Sequence, residues 1–290
     1  MRLSIASGKG GTGKTLISTS LARIWADRGQ SVTYVDADAE EPNGHLFLKP
    51  QINSEQRFSV KVPTLNGKTC AAHGKCQEIC AFNAILATKG RVMVFDQLCH
   101  GCGACLLACP DNALTEHDRE MGTITHGDAS GVNFFSAKLD IGEARVTPLI
   151  SGVVARALKE YVSDDQIVII DSPPGTSCSA MAAVEFGDLV LLITEPTPFG
   201  LHDLKLAIDM GKALGRNLAA VINRCDLGDD KTLKMLKSES VPVFAQIPFD
   251  RSVAESYAVS NLAVYESTAF GKAISDLADK LDAVMKGDRQ

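Results

Sequence analysis

Ser7-Gly8-Lys9-Gly10-Gly11-Thr12-Gly13-Lys14-Thr15 stands near the start of this 290-residue chain. An apolar run, Leu3-Ser4-Ile5-Ala6, precedes it and a helical pattern from Leu16 to Ala26 follows. The order is strand, glycine loop, helix. Gly8, Gly13, Lys14 and Thr15 spell G-x-x-x-x-G-K-[ST], the phosphate-cradling loop. Glycines let successive backbone amides turn toward a polyphosphate without side-chain obstruction, and the positive end of the following helix adds to the anion site. Gly8, Lys9, Gly10, Gly11, Thr12, Gly13, Lys14 and Thr15 are therefore expected to hold a nucleoside triphosphate. Lys14 should reach its β and γ phosphates, and Thr15 should ligate Mg²⁺.

Downstream, buried-type strands alternate with helices. Ser31 to Val35 reads as a second strand, with Asp36 and Asp38 at its tip, where an open α/β sheet places its ligand. Val132 to Phe135 reads as a strand, and Gln166 to Asp171 as a buried-type one ending in an aspartate expected at Mg²⁺ directly or through water. In the Ser172-Pro173-Pro174-Gly175 turn that follows, Gly175 offers a free amide to a γ-phosphate. Asp188 to Thr194, Leu218 to Ile222 and Phe244 to Ile247 continue the strands. Helices are expected at 148–161 and 199–214, and two more close the chain. The alternation predicts an α/β fold with a doubly wound, mainly parallel sheet.

After about Pro50 the pattern breaks. Residues 51–68 are polar with short β-like pieces, and seven of the nine cysteines then fall between Cys70 and Cys109. The expectation is a small inserted domain over 57–123, with the phosphate-loop domain at 1–56 and 124–290. Cys99-x₂-Cys102-x₂-Cys105-x₃-Cys109-Pro110 is the bacterial ferredoxin run for a [4Fe–4S] cluster. Zinc sites more often use two separated clips. Shifting by 29 residues carries Cys70, Cys76 and Cys80 onto Cys99, Cys105 and Cys109. This internal repeat resembles a two-cluster ferredoxin, in which the fourth cysteine of each run serves the other cluster. The resemblance implies Cys99, Cys102, Cys105 and Cys80 around one cluster, and Cys70, Cys76 and Cys109 around a second. In the first run His73 stands in the Cys102 slot and Ala81 replaces the proline. Three outcomes stay open there: a [4Fe–4S] cluster with His73 as ligand, a [3Fe–4S] cluster, or none. Cys178 and Cys225 lie outside the block and read as small packing residues.

Lys9, a second lysine inside the loop, sharpens the reading. The chain resembles the deviant-Walker-A ATPases, the family of MinD, ParA and the nitrogenase iron protein. Over nearly its whole length it resembles the MinD-superfamily ATPases carrying an inserted α+β bacterial ferredoxin-like domain. The resemblance implies that Lys9 reaches across a dimer to the partner's nucleotide, which is ATP. It places Asp38 in the first switch, near Mg²⁺, as water-positioner or general base, alongside Lys9 and Lys14 in catalysis. It assigns Asn223 to the adenine base and makes Pro248-Phe249-Asp250 a second base-contacting loop.

At 45% hydrophobic residues the chain can bury a large core. A net charge of −6 and pI near 5.5 argue against a direct nucleic-acid surface. No apolar run approaches the roughly 20 residues of a membrane span. The C-terminal helical pattern has mixed charges and no aromatic face, so no direct membrane anchor is expected. Cysteines in such spacing, with no export signal, point to a reducing cytoplasm. Three functions follow. The first is an ATPase, dimeric with itself or with a paired homologue, coupling its switch to electron transfer with a redox protein. The second is an iron–sulfur cluster assembly or carrier ATPase. The third is a positioning ATPase of the MinD or ParA kind that acts through a partner.

Overall fold

A computed structural model describes residues 1–66, 69–88, 90–161 and 166–287. The chain begins β1 (Arg2–Ala6), α1 (Lys14–Asp27), β2 (Val32–Asp36), α2 (Gly44–Leu48) and β3 (Gln51–Leu65). The cysteine block holds α3 (Lys75–Glu78), β4 (Ile85–Thr88), β5 (Arg91–Val94) and α4 (Ala104–Ala108). Next come β6 (Leu114–Asp128), β7 (Val132–Leu139), α5 (Thr147–Tyr161), β8 (Ile167–Asp171) and α6 (Cys178–Val184). The chain ends β9 (Leu189–Thr194), α7 (Pro198–Ala213), β10 (Asn217–Asn223), α8 (Lys231–Ser238), β11 (Val243–Ile247), α9 (Arg251–Ala258), α10 (Ala263–Glu266) and α11 (Thr268–Gly287).

Nine strands form one sheet in the order β11-β10-β9-β1-β8-β2-β7-β6-β3. The pairs from β11 through β7 are parallel. Period-two alternation sends neighbouring side chains to opposite faces, so strands buried on both sides read as unbroken apolar runs. Leu189, Leu191 and Ile193 of β9 join Ile17, Leu21 and Trp25 of α1 and Leu277 and Leu281 of α11 in one core cluster. Val190 and Leu192 join Leu204 and Ile208 of α7 and Leu236 of α8 in another. Helices thus cover both faces, as the alternation of strand and helix predicts.

Two compact units are present. The first holds Met1–Gln56, Ile124–Lys138 and Leu149–Gln290; the second holds Arg57–Thr123 and Leu139–Pro148. The return segment Leu139–Pro148, which the sequence reading leaves with the phosphate-loop domain, is part of the second unit. Residues 51–65 are one continuous strand and not short pieces. β6, 15 residues long, carries Glu116, His117, Asp118, Arg119 and Glu120 in its first half. Charges there dilute the apolar period that would have announced it.

Within the second unit the two halves of the repeat copy each other's backbone. Ala72 and Gly101 both have positive φ, as do Gly74 and Gly103, and Asn83 and Asn112. β4 and β5 pair antiparallel, with Ile85 opposite Val94.

Candidate nucleotide site and cysteine cage

The loop after β1 opens on a cleft lined by Gly10, Gly11, Gly13, Lys14, Thr15 and Asp38, with Asn223, Pro248–Asp250 and Tyr257 among its other walls. α1 has Gly13 at its cap with φ 93°, and no side chain caps it. First-turn amides left this way are donors for an anion. Thr12 Oγ1 is buried and has no hydrogen-bond partner among the described residues. An orphaned hydroxyl in this loop fits a polyphosphate oxygen. A Cβ on Gly13 would lie 2.4 Å from Asn223 Nδ2. Gly13→Ala therefore combines left-handed strain with a clash, and should lower unfolding free energy by about 1–3 kcal/mol in a urea titration.

Lys14 is buried and its Nζ lies 2.8 Å from Asp171 Oδ1. The other Asp171 oxygen accepts from Ser18 Oγ and Tyr34 OH, each at 2.9 Å. Burial disfavours the Lys14 charge, but Asp171, Asp38 and Asp36 outweigh it and hold the ammonium above its usual range. Asp36 is fully buried and accepts from the Gly44 amide at 2.8 Å. Burial, then the Asp171 charge, pushes it up to about 7. Asp38 is pushed up to about 6, by burial first, with Lys14 opposing and Asp171 adding. Three carboxylates therefore share one lysine, and Thr15, Asp38 and Asp171 supply the hard oxygen donors that suit Mg²⁺.

A pH dependence follows. The folded Asp36 pKa lies above its unfolded value, so its contribution to stability is present below that unfolded value and lost as pH rises. Without nucleotide the protein should lose thermal stability between about pH 4 and pH 7, and Mg²⁺ should flatten the fall. A pH profile identical with and without Mg²⁺ would contradict a cation at these carboxylates.

Lys9 Nζ pairs with Glu195 Oε1 at 2.5 Å, and Glu195 Oε2 takes Arg224 Nη1 at 3.0 Å. The Gly175 amide donates to the Ser7 carbonyl at 2.8 Å, so here it is engaged and not free. Asn223 Nδ2 donates to the Thr12 carbonyl at 2.8 Å and its Oδ1 accepts from the Arg224 amide, so it braces the loop. Asp250 caps α9: it accepts from the Ser252 amide and hydroxyl and from Ser267 Oγ. Its carboxylate oxygens are thus taken up by capping, whereas Pro248 and Phe249 present their surfaces to the cleft. Glu195 and Tyr257 escaped the sequence reading. Tyr257 stacks on Phe47 at 4.6 Å. Its position seven residues past Asp250 in an amphipathic helix was the only signal.

In the second unit, Cys80, Cys99, Cys102 and Cys105 line one recess together with Phe82 and His100. The rings of Phe82 and His100 stack at 3.6 Å. Cys70, Cys76 and Cys109 sit with Cys105 in an apolar cluster around Ile85, Val92 and Leu114. Backbone amides donate to sulfur in mirrored pairs. Ala72 N reaches Cys70 Sγ and Gly101 N reaches Cys99 Sγ, both at 3.4 Å. Ala84 N reaches Cys80 Sγ and Ala113 N reaches Cys109 Sγ, both at 3.3 Å. Burial, then Cys99, pushes the Cys105 thiol up to about 11. Such thiols need a cation to ionise together, and the soft donor set fits iron–sulfur chemistry. Among the described residues no group of three or more Cys, His, Asp or Glu is closed to metal-holding geometry; the thiols are gathered but not converged. His73 is half exposed and its Nε2 lies 3.1 Å from Asp111 Oδ1. Cys178 is exposed at the first position of α6, contrary to the packing role expected of it. The helix buries Ser179 and Ala180 and turns Cys178 outward. Among the described residues no helix is long and apolar enough to cross a membrane.

A parallel sheet with the phosphate loop at its central strand, and a buried Lys–Asp pair beneath that loop, defines a P-loop nucleotide-binding protein. The chain belongs to the CobQ/CobB/MinD/ParA nucleotide binding domain family, whose pattern matches residues 3–263. An uncharacterized protein of Methanocaldococcus jannaschii is 30% identical over 286 residues, covering 97% of this chain and 96% of that one. An iron-sulfur cluster carrier protein of Pyrococcus horikoshii is 23% identical over 301 residues, covering 97% and 85%. The septum site-determining protein MinD of P. horikoshii, solved with Mg-ADP, has the same fold: TM-score 0.58, 22% identity, 98% and 96% coverage.

Proposed function

We propose that the chain is an ATP-driven switch of the MinD/ParA kind. In this reading it binds ATP with Mg²⁺, closes with a second copy or a paired homologue, hydrolyses the nucleotide and passes the change of state to a partner protein. The observation that carries the reading is the buried Lys14–Asp171 pair under the uncapped first turn of α1. Lys14 exchanges one anion for another when a triphosphate enters, and its charge stays compensated throughout. Mg²⁺, held by Thr15, Asp38 and Asp171, supplies neutralisation of phosphate charge. Asp38, on the wall of the cleft beside Lys14 and Thr15, would position the attacking water. Lys9 is held by Glu195 and must leave it to reach a partner's nucleotide. A MinD of the same fold solved with Mg-ADP supports the choice of ligand. Lys9→Ala should keep ATP affinity, lose the ATP-dependent dimer and slow hydrolysis by about 10²-fold, read by light scattering and phosphate release. An unchanged dimer would contradict the role given to Lys9.

A second reading concerns the cysteine unit, taken as an inserted ferredoxin-like domain over 57–123. Its support is the mirrored amide-to-sulfur bonding of Cys70, Cys80, Cys99 and Cys109. Cys99, Cys102, Cys105 and Cys80 would hold a [4Fe–4S] cluster. Cys70, Cys76 and Cys109 would hold a second, of three irons or of four with His73. Resident clusters would let the switch gate electron transfer to a redox protein, as in the nitrogenase iron protein. The relative named as an iron-sulfur cluster carrier supports cluster cargo instead. A redox titration with and without a nonhydrolysable ATP analogue separates them. A nucleotide-dependent potential favours gating; transfer of iron and sulfide to an apo-acceptor favours cargo.

A further inference from the structure

Beneath the Cys99 loop lies a charge imbalance. Arg119, on β6, and Arg145, on the return segment, are largely buried, at 16% and 13% side-chain exposure. One carboxylate serves both: Glu143 Oε2 takes Arg119 Nη1 at 2.6 Å, and Glu143 Oε1 takes the Arg145 amide at 3.0 Å. Arg145 Nη1 donates to the Cys99 carbonyl. Nε and Nη2 of both arginines remain buried with no hydrogen-bond partner among the described residues. An uncompensated buried cation with orphaned donors is costly and persists where a buried anion offsets it.

The anion is identified by what lies next to the guanidinium. Arg145 touches the backbone of Cys99, whose thiol shares a recess with Cys80, Cys102 and Cys105. Four thiolates around an iron–sulfur core leave a net negative charge, and one-electron reduction adds a further unit. We infer that Arg145 and Arg119, trimmed by Glu143, form a charge-compensating seat for a cluster at Cys99, Cys102, Cys105 and Cys80, and favour its reduced form. The inference rests on the cluster reading above and assigns it residues outside the cysteine motif.

The test uses the full chain purified without oxygen, with dithionite as reductant. Iron and acid-labile sulfide are assayed first, then the cluster potential is followed by EPR in wild type, Arg145→Met, Arg145→Lys and Glu143→Gln. Arg145→Met should lower the equilibrium constant for reduction at least tenfold, about 59 mV toward negative potential for one electron. Glu143→Gln should shift it the opposite way, and Arg145→Lys should stay near wild type. A merely structural role cannot give opposite signs. In the metal-free protein Arg145→Met should be neutral or stabilising by thermal melt, because it removes one of two buried cations that share a single carboxylate. A loaded cluster with the same potential in wild type and Arg145→Met, or shifts of one sign in Arg145→Met and Glu143→Gln, would overturn the inference alone. Wild-type protein without iron or sulfide would overturn it together with the cluster reading.

Discussion

Replacing Lys14 by alanine should slow ATP hydrolysis by about 10²–10³-fold, the loss typical when a preorganised donor to developing charge is removed. The same change should weaken the nucleotide-free protein. Lys14 and Asp171 are both buried, and Asp36 and Asp38 crowd the same point. Truncating the lysine leaves Asp171 facing two further carboxylates with no cation, which costs about 3–5 kcal/mol where a buried pair is broken. Mg²⁺ should recover part of that stability by replacing the missing charge. Phosphate release gives the first number and urea unfolding with and without Mg²⁺ gives the second. A Lys14→Ala protein that hydrolyses ATP at the wild-type rate would remove the phosphate loop from the account.

If the cysteine unit holds the two clusters proposed for it, Cys105→Ser should cost about half of the bound iron and acid-labile sulfide, with nucleotide affinity unchanged. The substitution keeps the side chain's volume but exchanges a soft donor for a hard one. Cys105 borders both thiol groups of the second unit, packing with Cys70, Cys76 and Cys109 and lining the recess of Cys80, Cys99 and Cys102. Cys225→Ser, outside the cysteine unit, serves as the control and should leave iron content alone. Full iron in Cys105→Ser would contradict the ligand set.

The parallel sheet was legible because its strands are buried on both faces. Runs such as Ile167–Asp171 and Leu189–Thr194 have no polar interruption. The edge was not, since β3 is broken by scattered polar residues and the first half of β6 carries Glu116, Asp118, Arg119 and Glu120. The return segment Leu139–Pro148 has no motif; only tertiary packing assigns it to the second unit. In the site, residues fixed by loop spacing were recognised by type, whereas pairings were not. Nothing in the sequence links Lys9 to Glu195, or Arg145 to the Cys99 carbonyl, because each pair closes between segments far apart in the chain. Nor does the sequence show that Asp250, in the loop expected at the base, also caps α9 through Ser252 and Ser267.

Mass measured by light scattering, with bound nucleotide assayed on the same sample, tests the ATP-driven switch most directly. With Mg²⁺ and a nonhydrolysable ATP analogue the chain should bind the analogue and double its mass, alone or with its paired homologue, and with ADP it should not. A single-chain mass under every condition, with no analogue retained, would contradict it.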